Sequence, residues 1–354
     1  MITAVINIRF VEGESRKFRS DVALEPAELD RSDGLRTREN TSLTTPSADK
    51  LRSAGPDTLT TGHRTIVRSR SFPASSVGKQ LLVSIRSFGS GSSGNAMLIE
   101  AGSSAVLIDA GVAPRTLRAG LALVGRAPDQ LSAVLLTHEH IDHVRGVGWF
   151  TKRGVPVVST AGTAAAIELA SSSFMRALPG KQLSLDGLVI QPLSVSHDAL
   201  EPCGYLIETP STRVTVVTDL GCANDALIEP LATSDLIVLE ANHDETMLRR
   251  GPYPAYLKRR VLSDVGHLSN ADCAELLTRS LSARQTPVTI WLAHLSQTNN
   301  TPAIAIRSVQ SALADKVGPF KLITMPRHGS DLAWRSDGTF VADPHEFQLQ
   351  LPLL

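Results

Sequence analysis

Three histidines and an aspartate fall within six positions in THEHIDH, Thr137 to His143: His138, His140, Asp142 and His143. Neutral imidazoles suit Zn²⁺, Mn²⁺ or Fe²⁺, and a carboxylate adds a harder oxygen ligand. Just upstream, Leu131 to Leu136 (LSAVLL) is a β-branched and aliphatic run that reads as a buried strand. The cluster therefore sits on a loop leaving a strand end. Alternating positions 138 and 140 project together there, while Asp142 and His143 face a second point about one metal–metal distance, ~3.5–4 Å, away. A solvated His-rich loop is the bland alternative.

Further candidates arrive singly. His197 follows LVIQPLSVS, with Asp198 beside it to orient its ring, and Asp219 follows RVTVVT. Glu240 ends the strand-like SDLIVLE, His267 opens a helix in GHLSN, and His294 follows VTIWLA. Alone, a strand-end histidine is usually structural and Asp-Leu-Gly is usually a turn or cap. Their order after THEHIDH makes them candidates.

The elements that must position these residues are legible as a β–α–β texture. Strands are expected over 82–88, 95–100 and 105–108, joined by Gly/Ser turns. Pro114 to Val124 carries Pro near its start and apolar Leu117, Leu121 and Val124, an amphipathic helix. Helices are expected over 144–152, 163–171 and 303–314, with VPVVST and FKLITM as strands. This pattern predicts an α/β sandwich. The SGSSGN loop, Ser90 to Asn95, lacks the lysine and following helix of a phosphate loop, and reads as a tight connection or as a polar loop facing the site.

A chain of 354 residues with 42% hydrophobic content can bury a large, mostly aliphatic core, since aromatics are only 4%. Net charge is zero, so any polyanion contact must be local. One basic run qualifies: Arg249, Arg250, Lys258, Arg259 and Arg260, with no acidic residue between 249 and 260. A solvated helix face is the plain reading; its place between Glu240 and His267 favours phosphate contacts. Cys203, Cys222 and Cys273 are sparse and form no CxxC, which fits a reducing, cytoplasmic setting. No apolar run approaches the ~18 residues of a membrane span. Residues 1–80 are rich in Ser, Thr and charge without periodicity and read as a weakly structured segment preceding a domain over 81–354. Their ten acidic residues argue against a transit peptide.

THEHIDH resembles the HxHxDH signature of the metallo-β-lactamase fold, an αββα sandwich with a dinuclear metal site. EANHD, GPYP, LKRR, GHLSN and LAHLSQTNN, in order, look like the YycJ/WalJ group of hydrolases on that fold, from about 82 to 302. More distantly the chain is similar to tRNase Z; Asn242 replaces a threonine of that motif and His243 has no counterpart there, which weighs against carrying over the tRNA substrate. The resemblance implies two divalent ions, Zn²⁺ or Mn²⁺. It gives His138, His140 and His197 to the first, Asp142, His143 and His294 to the second, and Asp219 as bridge. Asp109, which ends the third strand in LIDAG, hydrogen-bonds the metal loop instead of a metal. Glu240 and His267 become a proton-handling pair, alongside Asp142 among the catalytic residues. His243 is either a helix cap or a phosphate contact, and Arg259 and Arg260 are substrate contacts.

The implied activity is phosphodiester hydrolysis by a metal-bridging hydroxide, as a 5′-directed exodeoxyribonuclease acting on DNA. The rival is a small-molecule hydrolase, of a cyclic phosphodiester or a thioester as in glyoxalase II; a glyoxalase II would need neither the Glu240/His267 pair nor the basic run. A flavodiiron-like redox module is disfavoured, because His140 is intact and no flavodoxin-like segment follows.

Overall fold

The computed structural model describes residues 81–341 apart from 315, 330 and 331. The expectation for residues 1–80 lies outside the described residues.

Strands β1 (Val83–Gly89), β2 (Ala96–Ala101), β3 (Ser104–Ile108), β4 (Ala133–Leu135), β5 (Val157–Ser159) and β6 (Phe174–Arg176) form one sheet in that order. The second sheet follows: β7 (Leu183–Leu185), β8 (Leu188–Ser194), β9 (Cys203–Glu208), β10 (Arg213–Val217), β11 (Leu236–Glu240), β12 (Val288–Ala293) and β13 (Phe320–Thr324). The chain then returns to the first sheet through β14 (Ala333–Arg335), which pairs with β1, and β15 (Phe340–Val341). In each sheet four strands run parallel, β3 to β6 and β10 to β13.

Alternation of side chains along these strands builds the layers. Met97 and Ile99 of β2 and Leu236 and Val238 of β11 meet in one core between the sheets, with Tyr205 and Trp291. Leu98 of β2 and Val134 of β4 face the other way, against Leu117 and Leu121 of α1 (Pro114–Leu123). Leu121 lies four residues beyond Leu117, one turn along the same helix face, and full burial of each leucine contributes about 1.5–3 kcal/mol. On the far side, Ile237, Leu239 and Ile290 pack under helices introduced below. This is the αββα sandwich.

The helix expected over 144–152 is instead two short pieces, α2 (Ile141–Val144) and α3 (Val147–Thr151). They break at Gly146, whose N–H donates to Ala110 O at 2.7 Å and whose missing Cβ would meet that oxygen at 2.8 Å. The helix after β5 starts earlier than expected, as α4 (Ala161–Ala166), because Thr160 caps it by accepting from Thr163 N. Then come α5 (Ile228–Thr233), α6 (Glu245–Arg250), α7 (Ala255–Val261), α8 (Asn270–Leu281) and α9 (Pro302–Leu313). Ser269 caps α8 by accepting from Asp272 N at 3.1 Å, and Thr301 caps α9. Leu276, Leu277 and Leu281 of α8 and Val309 and Leu313 of α9 cover the second sheet. Among the described residues no helix is long and apolar enough to cross a membrane.

Candidate metal centre

Every candidate ligand stands just past the end of a strand or, for Asp142 and His143, on the short helix α2 that follows β4. Parallel strands deliver their carboxyl ends to one edge, where open α/β sheets bind ligands. Asp109 follows β3, His138 and His140 follow β4, His197 follows β8, and Asp219 and His294 follow β10 and β12. Asp109, Asp219 and His294 hold left-handed φ values of 57°, 56° and 55°, a cost that surrounding contacts must sustain. For His294 those contacts are explicit. Its N–H donates to Ser90 Oγ at 2.9 Å, and its carbonyl accepts from Asn242 Nδ2 at 2.8 Å.

Two ligand sets result. His138, His140 and His197 bring one ring nitrogen each within 4.8 Å of one another, as do the ligand atoms of Asp142, His143 and His294. Asp219 stands among both: its Oδ2 is 3.2 Å from His143 Nε2, and its Oδ1 is 3.8 Å from His197 Nε2 and 3.1 Å from His294 Nδ1. The rings are fixed from behind. His197 Nδ1 donates to Gly266 O at 2.9 Å, His143 Nδ1 to Asp109 Oδ2 at 2.7 Å and His294 Nδ1 to Glu240 Oε1 at 2.9 Å. Asp109 also accepts from Thr137 N at 2.9 Å and so braces the metal loop. With Nδ1 committed, Nε2 carries the lone pair, the tautomer a ligand needs.

The residues fit divalent ions on a direct observation. Among the described residues, buried His138 Nε2, His197 Nε2 and His294 Nε2 have no hydrogen-bond partner, and an unpaired buried polar group costs about 1–3 kcal/mol. These three ring nitrogens are lone-pair donors that cations would satisfy. Burial, and then repulsion from His143, drives His138 well below the imidazole range; burial likewise lowers His197. Both favour the neutral ligand state. In the other set burial opposes charge but loses. Asp109 and Asp219 raise His143 well above its ordinary value, and Asp219, Asp142 and Glu240 lift His294 to about 10. Burial would raise Asp219 too, yet His294 and His143 hold it well below the carboxylate range. The buried carboxylates thus draw positive charge, either imidazolium protons or the metal ions that displace them.

Glu240 is fully buried and fully satisfied. Its Oε1 accepts from His267 Nδ1 at 2.9 Å as well as from His294, and its Oε2 accepts from Leu220 N at 2.7 Å and Leu268 N at 3.3 Å. Burial pushes against its ionisation, but the two imidazoles bring it down to about 2. One carboxylate therefore ties His267 to a ligand of the second set.

Several expectations need correction. Asp198 does not brace the back of His197, which Gly266 does; its Oδ1 faces Nε2 of His197 at 3.3 Å and of His140 at 3.9 Å. Its other oxygen accepts from Arg260 Nε at 2.6 Å, so Arg260 is anchored through that nitrogen. Arg249 pairs with Glu245, and Lys258 Nζ donates to Arg249 O at 2.8 Å, stitching α7 to the end of α6. Arg259 is exposed. His243 does not cap α6, because Asp244 does so by accepting from Met247 N at 2.8 Å. Instead His243 is 1% exposed, bridges Ser269 through its backbone, and has neither ring nitrogen partnered. The SGSSGN loop is more than a connection: Ser90 holds His294, and Asn95 Nδ2 lies 3.0 Å from His143 Nε2. The alternative of a polar loop facing the site therefore holds, although the sequence does not single out Ser90 and Asn95, because a Gly/Ser-rich loop carries no signal that separates them from turn residues.

Fold and site together define a metal-dependent hydrolase. The chain belongs to the metallo-β-lactamase superfamily, whose family model matches residues 89–246. It is 35% identical over 226 residues to the exodeoxyribonuclease WalJ of Streptococcus pneumoniae, covering 61% of this chain and 82% of that one. To the exodeoxyribonuclease YycJ of Bacillus anthracis it is 32% identical over 218 residues, 60% of this chain and 81% of that one. Among solved structures, the metallo-β-lactamase fold protein YhfI of Bacillus subtilis shares the fold with a TM-score of 0.55 at 16% identity, covering 73% of this chain and 100% of that one.

Proposed function

We propose that the protein is a phosphodiesterase that shortens DNA from a 5′ end, using two divalent ions, Zn²⁺ or Mn²⁺. The observation that carries this reading is the Glu240 carboxylate shared by His267 and His294, at 2.9 Å from each Nδ1. A thioester has a good leaving group and needs no such pair, whereas the sugar alkoxide of a phosphodiester must be protonated as it leaves. The relatives named exodeoxyribonucleases support the substrate class.

His138, His140 and His197 would hold the first ion and Asp142, His143 and His294 the second, with Asp219 within reach of both sets. Bound there, the ions would supply Lewis acidity that lowers the cost of forming hydroxide near neutral pH and shields charge on the phosphate. Asp142 is assigned both to the second ion and to the catalytic residues. Asp109 keeps His143 in its ligand tautomer. Glu240 accepts His267 Nδ1–H and stabilises the imidazolium, whose Nε2–H goes to the leaving oxygen. Arg259 and Arg260 contact the phosphate backbone. His243 is assigned a phosphate because both ring nitrogens are unpartnered. The three free cysteines fit work in the cytoplasm.

The test is digestion of DNA and RNA labelled at either end, with Mn²⁺, Zn²⁺ or chelator. The expected result is metal-dependent loss of nucleotides from the 5′ end of DNA. Inert DNA alongside rapid turnover of a cyclic phosphodiester or thioester would replace this reading with the small-molecule one.

A further inference from the structure

Four exposed large apolar side chains lie close in sequence to site residues: Ile141 beside His140, Leu200 just beyond Asp198, Val265 just before His267, and Tyr256 on α7. Tyr256 is the aromatic among the exposed large hydrophobics of the described residues, with 68% of its surface in water. Arg260 lies four residues on and so shares its helix face, about one 5.4 Å turn away. Arg260 gives only its Nε–H to Asp198, whose other oxygen is 3.3 Å from His197 Nε2. A bare ring thus stands one turn from an arginine anchored at the first metal position, with neither Nη group partnered among the described residues.

A duplex turns its phosphates outward and hides its base faces, so a surface made for duplex alone needs cations and gains little from an exposed ring. A single strand offers base faces and phosphates together, and aromatic stacking beside positive charge is how such strands are held. We propose that α7 is a platform for single-stranded DNA, on which Tyr256 stacks a nucleobase and the Nη groups of Arg260 take an adjoining phosphate. This rests on the nuclease reading and adds that the strand enters unpaired.

The test compares wild type, Tyr256→Ala and Tyr256→Phe in their metal-loaded forms. Binding is read by anisotropy of a fluorescein-labelled phosphorothioate single strand, which resists hydrolysis, and turnover is read on the matching phosphodiester strand. Tyr256→Ala should weaken binding and raise KM about tenfold, the scale of one lost stack, with kcat unchanged. Tyr256→Phe should behave as wild type. On a strand made abasic through its first few nucleotides, and on a blunt duplex, Tyr256→Ala should match wild type. No effect of Tyr256→Ala, or an equal loss on base-bearing and abasic strands, overturns the platform. Tyrosine-dependent binding without cleavage leaves the platform standing and removes the nuclease; cleavage with no tyrosine dependence does the reverse.

Discussion

His267 and His294 share one carboxylate oxygen yet have opposite expected fates on mutation. His294 is 4% exposed, and its Nε2 belongs with Asp142 and His143, so His294→Ala should lower metal content and damage every substrate. His267→Ala should retain both ions and lose about 10²–10⁴-fold on DNA, where protonation of the alkoxide matters. A p-nitrophenyl phosphodiester, whose leaving group departs unaided, should be largely spared. Metal analysis with both substrates checks this, and swapped phenotypes would reverse the assignments. Most of these residues were legible in the sequence, because strand ends deliver ligands and THEHIDH concentrates four of them. The partners behind them were harder to read. Asp198 and Arg260 meet across 62 positions, and nothing local in HDAL or LKRR announces that pairing.

At the scale of elements, the metal loop lies directly on the end of β3. A Cβ at Gly111 would sit 1.5 Å from Asp142 O, so only glycine lets the two segments meet. Gly111→Ala should displace Asp142 and His143, costing about 1–3 kcal/mol or more and weakening the second ion. Melting with and without metal measures both effects; an unchanged Tm would show that the loop yields freely. On α7, Arg259 is exposed and has no carboxylate partner among the described residues. Arg259→Gln should weaken single-strand binding and reduce the magnitude of its log–log salt slope by about 0.7, leaving a small chromogenic phosphodiester untouched. Equal loss on both substrates would make the arginine structural. Most long apolar periodicities found their elements. The α2–α3 break was not legible, because it depends on Gly146 touching Ala110, a contact set by the fold and not by local pattern.

At the scale of the whole molecule, the sandwich explains why residues spread from Asp109 to His294 converge. The strands that carry them, the parallel runs together with β8, which points the same way as β10, bring their ends to one edge, and the core between the sheets keeps those ends in register. From the Ser-, Thr- and charge-rich composition of residues 1–80, a chain beginning at residue 81 is expected to melt and turn over like the full chain. A large drop in Tm on deletion would show a structural debt to that segment. The central claim is that paired metal ions on this edge hydrolyse DNA. Its most direct test is hydrolysis of a 5′-phosphorylated single strand, measured as metal-free protein is titrated with Mn²⁺ or Zn²⁺ and bound metal is counted. Activity should rise as the second equivalent binds and vanish with chelator. Full activity in chelated protein, or two bound equivalents with DNA left intact, would contradict the account.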